Sequence, residues 1–180
     1  MPSIETIKTF ATSFGFKPTF TKSELNELPN LLNPDEELLA IAEGSLKHAH
    51  NKKVVGVGII FSTPKRVVFF RKSMLGTTTK EEFPIAKISA ASVRKGMLMA
   101  SIILRTSGDE VEISDVDKKQ AEKTASVISE LMNNHDQNRN APVIVTGNIS
   151  DELAKLADLK DKGILTEEEF AAQKQKLLSR

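Results

Sequence analysis

The chain contains no cysteine, no tryptophan and no tyrosine. Without cysteine there is no disulfide framework and no thiolate to act as nucleophile or soft metal ligand. Without tryptophan or tyrosine the usual stacking platforms for bases are missing, and the nine phenylalanines fall inside hydrophobic runs, so nucleic acid is not an expected partner. No segment approaches the roughly 18 consecutive apolar residues of a membrane-spanning helix. The opening Met-Pro-Ser-Ile-Glu-Thr lacks the basic region and apolar block of a secretory signal. A cytoplasmic bacterial or phage protein is expected. An excess of either charge is missing too: 25 basic against 24 acidic side chains give a formal net charge of +1, which supplies no global attraction to polyanions.

The motifs of catalysis are equally absent. Gly56-x-Gly58 lies within an apolar run and has neither the third glycine nor the downstream lysine of a phosphate loop; glycines there serve to admit a neighbouring side chain or a bend. No serine sits in a nucleophile elbow. His48 and His50 alternate as i, i+2, but no further ligand-bearing residue stands near them, so no metal site is expected. The reading is of a non-enzyme, with no catalytic residues and no cofactor.

What is present divides the 180 residues into four stretches. Residues 1–33 carry Ile4, Ile7, Phe10, Ala11 and Phe14 on one helical face, then Leu25, Leu28, Leu31 and Leu32 in a second short run. They read as a helical flank, either part of the main domain or a dimer-forming arm. Residues 34–133 open with seven short β-rich runs at 38–47, 54–61, 66–71, 76–83, 88–93, 98–105 and 110–113, with turn residues between them. An amphipathic helix follows over 117–132, with Asp115 or Asp117 as its cap and Ala121, Ala125, Ile128 and Met132 on its stripe. Many strands in succession and then one helix argue for an α+β fold: a seven-stranded antiparallel roll or barrel capped by that helix. Residues 134–149 read as a linker, in which Pro142-Val143-Ile144-Val145 is either incidental or a strand able to join an exposed sheet edge.

Residues 150–180 read as two short amphipathic helices joined at Gly163-Ile164-Leu165, the second opened by a capping box between Thr166 and Glu169. A hairpin of this length cannot bury its own apolar face. Leu153, Leu156, Leu159, Ile164, Leu165, Phe170 and Leu177 are the candidate partner-binding residues, facing the rest of the chain, a second copy or another protein. The string Leu-Lys-Asp-Lys-Gly-Ile-Leu-Thr-Glu-Glu-Glu-Phe over 159–170 resembles the short C-terminal (SHOCT) module of many bacterial proteins. That resemblance implies a non-catalytic adaptor supporting oligomerisation or attachment to partners.

The central domain resembles the bacterial pleckstrin-homology-like (PH-like) family. The likeness is carried by Leu31 to Glu36, by Gly56 with Ile60, by Thr63-Pro64-Lys65-Arg66-Val67-Val68-Phe69, and by Phe83-Pro84-Ile85-Ala86-Lys87-Ile88 leading to Gly96. It implies the fold and no particular ligand. Lys47, His48, Lys52 and Lys53 in the first hairpin, joined by Lys65 and Arg66 in the next, form a candidate anion-binding cluster, since lysine heads present point charges to phosphate oxygens. Against it, the basic pair that eukaryotic relatives carry in the second strand is replaced here by Val-Val-Gly-Val-Gly-Ile. An adaptor acting through its terminal hairpin is therefore expected, with weak anionic membrane contact through the basic loop as the alternative.

Overall fold

The computed structural model describes residues 2–48, 54–140 and 166–178, with isolated helical positions at 153, 157 and 160. The chain divides into two compact units, residues 1–140 and 141–180.

The first unit begins with two helices, α1 (Ile4–Phe14) and α2 (Lys22–Leu31). Ser3 caps α1 by accepting the Thr6 N–H at 3.2 Å. Gly15 ends it at φ +88°, a conformation that costs glycine no Cβ clash, and Phe16 N–H returns to the Ala11 carbonyl at 2.8 Å. At the start of α2, Thr21 makes no side-chain cap, and a tertiary contact takes its place. The Thr21 hydroxyl donates to Glu43 at 2.6 Å, and the same carboxylate oxygen accepts the N–H groups of Thr19, Phe20 and Thr21.

Seven strands follow: β1 (Ala40–His48), β2 (Val54–Ser62), β3 (Arg66–Lys72), β4 (Thr78–Pro84), β5 (Ile88–Lys95), β6 (Ala100–Thr106) and β7 (Glu110–Val116). They form one antiparallel sheet in the order β4-β3-β2-β1-β7-β6-β5. Two meanders are joined where β1 pairs with β7, through Ser45–Ser114 to His48–Val111. The helix α3 (Lys118–Asn140) follows, capped by Asp117, which accepts the N–H groups of Lys119 and Gln120 at 3.0 and 3.1 Å.

The period-two alternation of strands sorts side chains between two cores. Ala42, Leu46, Ile60, Val67 and Phe69 face inward, meeting Ile102, Leu104, Val111 and Ile113 from the other half of the sheet and Ala121 and Ile128 of α3. The residues between them, Ile41, Ile59, Phe61, Val68 and Phe70, face outward and are buried under Ile7, Ala11, Leu25 and Leu28 of the N-terminal helices. The first 33 residues are thus a flank that completes this unit. Their attachment reaches α3, where Gln120 Nε2 donates to the Gly15 carbonyl at 2.8 Å and Lys123 Nζ to the Phe14 carbonyl at 3.1 Å.

The strand glycines have the roles expected of them. A Cβ on Gly58 would lie 2.7 Å from the Phe69 ring and 2.5 Å from the Phe70 carbonyl. Gly56, at φ +98°, sits at a bulge with Arg71 lying over it. One expectation is corrected. The helix expected to stop at Met132 continues to Asn140, so residues 134–140 are helix where a linker was expected. No glycine or proline interrupts 118–140, and Asn and Gln lower helix propensity only slightly. The remainder of the expected linker, with Val143 and Val145, lies outside the described residues.

Candidate functional site

A meander places successive hairpins at opposite ends of its sheet. The β1–β2, β3–β4 and β6–β7 connections share one end of the roll, and the β2–β3 turn lies at the other. The nine residues of β2 separate the two ends by roughly 26 Å at about 3.3 Å per residue. The sequence-based cluster is therefore split. Lys47 and His48 stand at the first end, Lys65 and Arg66 at the second, and Lys52 and Lys53 lie outside the described residues.

Three of the four described members, His48, Lys65 and Arg66, are engaged with carboxylates. The His48 imidazole is mostly buried at the mouth of the roll, between Glu81 of β4 (Nε2–Oε2 2.7 Å) and Asp109 of the β6–β7 turn (Nδ1–Oδ2 2.9 Å). Only an imidazolium donates from both ring nitrogens. The Asp109 hydrogen bond, aided by the Glu81 charge and opposed by burial, raises its pKa. His48, a candidate anion-binding residue, thus ties β1, β4 and the β6–β7 turn together through these two carboxylates.

Arg66 is likewise a structural pin. Its guanidinium donates to Glu36 from Nε at 2.8 Å and from Nη2 at 2.5 Å, to the Leu31 carbonyl at 3.0 Å, and pairs with Glu82 at 2.7 Å. Thr63 Oγ1 donates to Glu36 at 3.0 Å and Asn33 N–H does so at the same distance. Arg66 above all pulls the Glu36 carboxyl down to about 2. The cluster joins the end of α2 to the β2–β3 turn, and an anion entering it would have to displace the buried Glu36 carboxylate. Lys65 pairs with Asp35 at the surface.

Lys47 alone keeps an open aspect. It lies on the other face of β1 from His48, lining a groove of about 490 Å³ with Arg94, Ser101, Glu112, Ser114 and the β5–β6 turn. Sequence reasoning missed this groove, because its walls come from β1, β5, β6 and β7. It also missed Arg71, whose guanidinium lies over Gly56 without an ion pair among the described residues. The Gly-x-Gly pattern was the available signal for a side chain crossing that strand.

In the second unit, Thr166 and Glu169 form the expected reciprocal cap of helix α4 (Glu167–Leu178): Thr166 N–H donates to Glu169 at 3.0 Å and Glu169 N–H to Thr166 Oγ1 at 3.3 Å. The Thr166 N–H and hydroxyl, both donating to its carboxylate, lower the Glu169 pKa. Lys160 bonds Glu167 at 2.8 Å and stands 5.3 Å from the centre of the Phe170 ring. Leu153 and Phe170 are half-buried. Leu177 lies within α4, while Leu156, Leu159, Ile164 and Leu165 fall outside the described residues.

The two units match known families. Residues 32–130 match the bacterial PH domain, over half of the chain. The chain belongs to the bacterial PH domain family. Residues 151–178 match the short C-terminal domain, SHOCT. Among solved structures, the PH domain of USP37 is similar at 15% identity and a TM-score of 0.42, covering 54% of this chain and 98% of that one. A DUF1696 family protein with a pleckstrin-homology domain from Shewanella loihica PV-4 is similar at 15% identity and a TM-score of 0.43, covering 70% and 92%. No curated protein matches. Among the described residues, no helix is long and apolar enough to cross a membrane.

Proposed function

We propose that this chain is a non-enzymatic adaptor, in which the PH-like domain is a rigid scaffold and the C-terminal hairpin attaches it to a second copy or to another protein. One observation carries the reading: a SHOCT segment over 151–178 within a unit of its own, too short to sustain a core. Phe170 illustrates the need, since its ring is only half-buried, with an exposed neighbour on either side in Glu169 and Ala171. Burying a leucine or phenylalanine stabilises by roughly 1.5–3 kcal/mol, so a few such residues suffice for a stable contact. Of the described basic residues of the membrane alternative, Lys65 and Arg66 are ion-paired and lie at the other end of the sheet from Lys47, which favours the adaptor reading.

Light scattering on the full chain and on a chain lacking residues 150–180, at matched concentration, tests the proposal. The shortened protein is expected to stay folded with a lower mass per particle. An unchanged mass removes self-association, and failure of the isolated hairpin on an inert carrier to hold any defined binding protein removes the adaptor reading altogether.

A further inference from the structure

An open sheet ends in two edge strands, each with a row of backbone N–H and C=O groups that lack a ladder partner. Here the edges are β4 and β5, and their compositions differ. β4 sets Lys80, Glu81 and Glu82 in the middle of its edge and ends in Pro84, residues that discourage a further strand from pairing. Along β5 the run Ser89-Ala90-Ala91-Ser92-Val93 has neither charge nor proline. Its charges, Arg94 and Lys95, come at the far end, where Glu112 stands 3.5 Å from Arg94 and Glu122 of α3 pairs with Lys95. A bulge between Ile88 and Ala90 confines the regular stretch to Ala90–Lys95.

The register of the β5–β6 hairpin fixes which groups are open. Gly96 N–H donates to the Met99 carbonyl at 2.9 Å, so these two form the hydrogen-bonded pair that closes the hairpin. Alternation then assigns the bonds to β6 to Arg94, opposite Ser101, and to Ser92, opposite Ile103. It turns the N–H and C=O groups of Ala91 and Val93 away from β6, and these four groups have no partner among the described residues. The side chains of the same two residues are half-buried against the inner core, together with Leu131 and Met132 of α3 and Phe83 of β4. An apolar strip therefore accompanies the open edge. A helix, a lipid surface or a flat apolar face would leave the four backbone groups unpaired. An extended backbone satisfies all of them.

We propose that the free edge of β5 is a docking site for an extended peptide of another protein, which joins the sheet as an added antiparallel strand. The peptide residues opposite Ala91 and Val93 lay apolar side chains on the strip, and the residue between them, opposite Ser92, faces water and is polar. Ala91 leaves more room than Val93, so the longer apolar side chain belongs opposite Ala91. From its N-terminus the recognised pattern is thus a β-branched residue, a polar residue and one the size of leucine or methionine. The site lies within the PH-like domain and does not rest on the adaptor role of the C-terminal hairpin.

The probe is the blocked pentapeptide Thr-Val-Thr-Leu-Thr, titrated into the isotope-labelled full-length chain while the Ala91 and Val93 amides are followed by NMR. Both amides are expected to shift downfield to saturation and to exchange more slowly with solvent. The same peptide N-methylated at valine and leucine loses the two donors aimed at β5, and is expected to bind at least about tenfold more weakly. In the protein, Ala91→Pro removes one open N–H and leaves the Ser92 and Arg94 bonds to β6 in place. It is expected to lose binding to a similar extent, and the methylated peptide tests the same bonds in the unaltered chain. Equal binding of the two peptides overturns the proposal, as does the lack of any response at Ala91 and Val93 to millimolar peptide. So does a shift of these amides with protein concentration alone, which would make the β5 edge of a second copy the occupant.

Discussion

The outward faces of neighbouring strands in this sheet meet different surroundings. On β2 and β3 the outward residues Ile59, Phe61, Val68 and Phe70 are buried under α1 and α2, whereas on β4, one strand further along, Thr78, Lys80 and Glu82 face water. Val68 pairs with Glu82 and Phe70 with Lys80, so the boundary of the outer core falls between two hydrogen-bonded strands. The composition follows the boundary. Strands covered on both faces read as continuous apolar runs, Ile59-Ile60-Phe61 and Val67-Val68-Phe69-Phe70, whereas β4 is mostly polar and its residues alternate between exposed and half-buried. A run of apolar residues in a strand is therefore a statement about a second layer that the strand itself does not contain.

The sharpest way to break this contrast is to truncate outward residues on either side of the boundary. Phe61→Ala, beneath the helices, is expected to cost about 3–5 kcal/mol in urea unfolding, while Lys80→Ala on the bare face stays within about 0.5 kcal/mol. Equal costs would mean that α1 and α2 do not share a core with the sheet in solution. Next in size is the pin that fastens the covered side. Arg66→Met leaves Glu36 buried and unpaired, at a cost of about 3–5 kcal/mol, whereas Lys65→Ala next to it leaves the unfolding midpoint unchanged. The Glu36 carboxyl titrates at about 2 in the folded chain against an ordinary 4.5, so its contribution is complete above 4.5 and is lost as pH falls toward 2. Stability in Arg66→Met should be flatter over that window.

The smallest effect belongs to the mouth of the roll. Because the His48 pKa is raised by Asp109 and Glu81, its contribution is complete below the ordinary value of 6.5 and fades as pH rises through the raised value. His48→Gln is expected to cost about 2 kcal/mol in acid-side buffer and progressively less on the alkaline side. A pH-independent difference, or an imidazole that titrates normally by NMR, would show that the two carboxylates do not hold it.

Much of this architecture was legible. Six of the seven strands begin and end within two residues of the sequence reading, and β7 runs three residues further, because Asn51, Thr63-Pro64, Gly76, Gly96 and Ser107-Gly108-Asp109 are strong turn signals between apolar runs. The helix-closed roll and the Thr166–Glu169 cap were likewise readable from local pattern. The site was much less so. Lys47, Lys65 and Arg66 are close in sequence and were grouped as a basic cluster, although a meander sends consecutive turns to opposite ends. The carboxylates that claim His48 are 33 and 61 residues away, in Glu81 and Asp109, beyond the reach of any spacing rule.

Local chemistry by itself determined the elements: alternation set the strands, small and polar residues set the turns, and three- and four-residue apolar spacing set the helices. Only the tertiary structure decided where charge is available. An ionisable side chain is paired or left open by groups that folding brings to it through space, and the register of a seven-stranded sheet is fixed by all of its strands together. For the same reason the first 33 residues became a second layer on the sheet, because the apolar face awaiting them exists only once β1, β2 and β3 lie side by side.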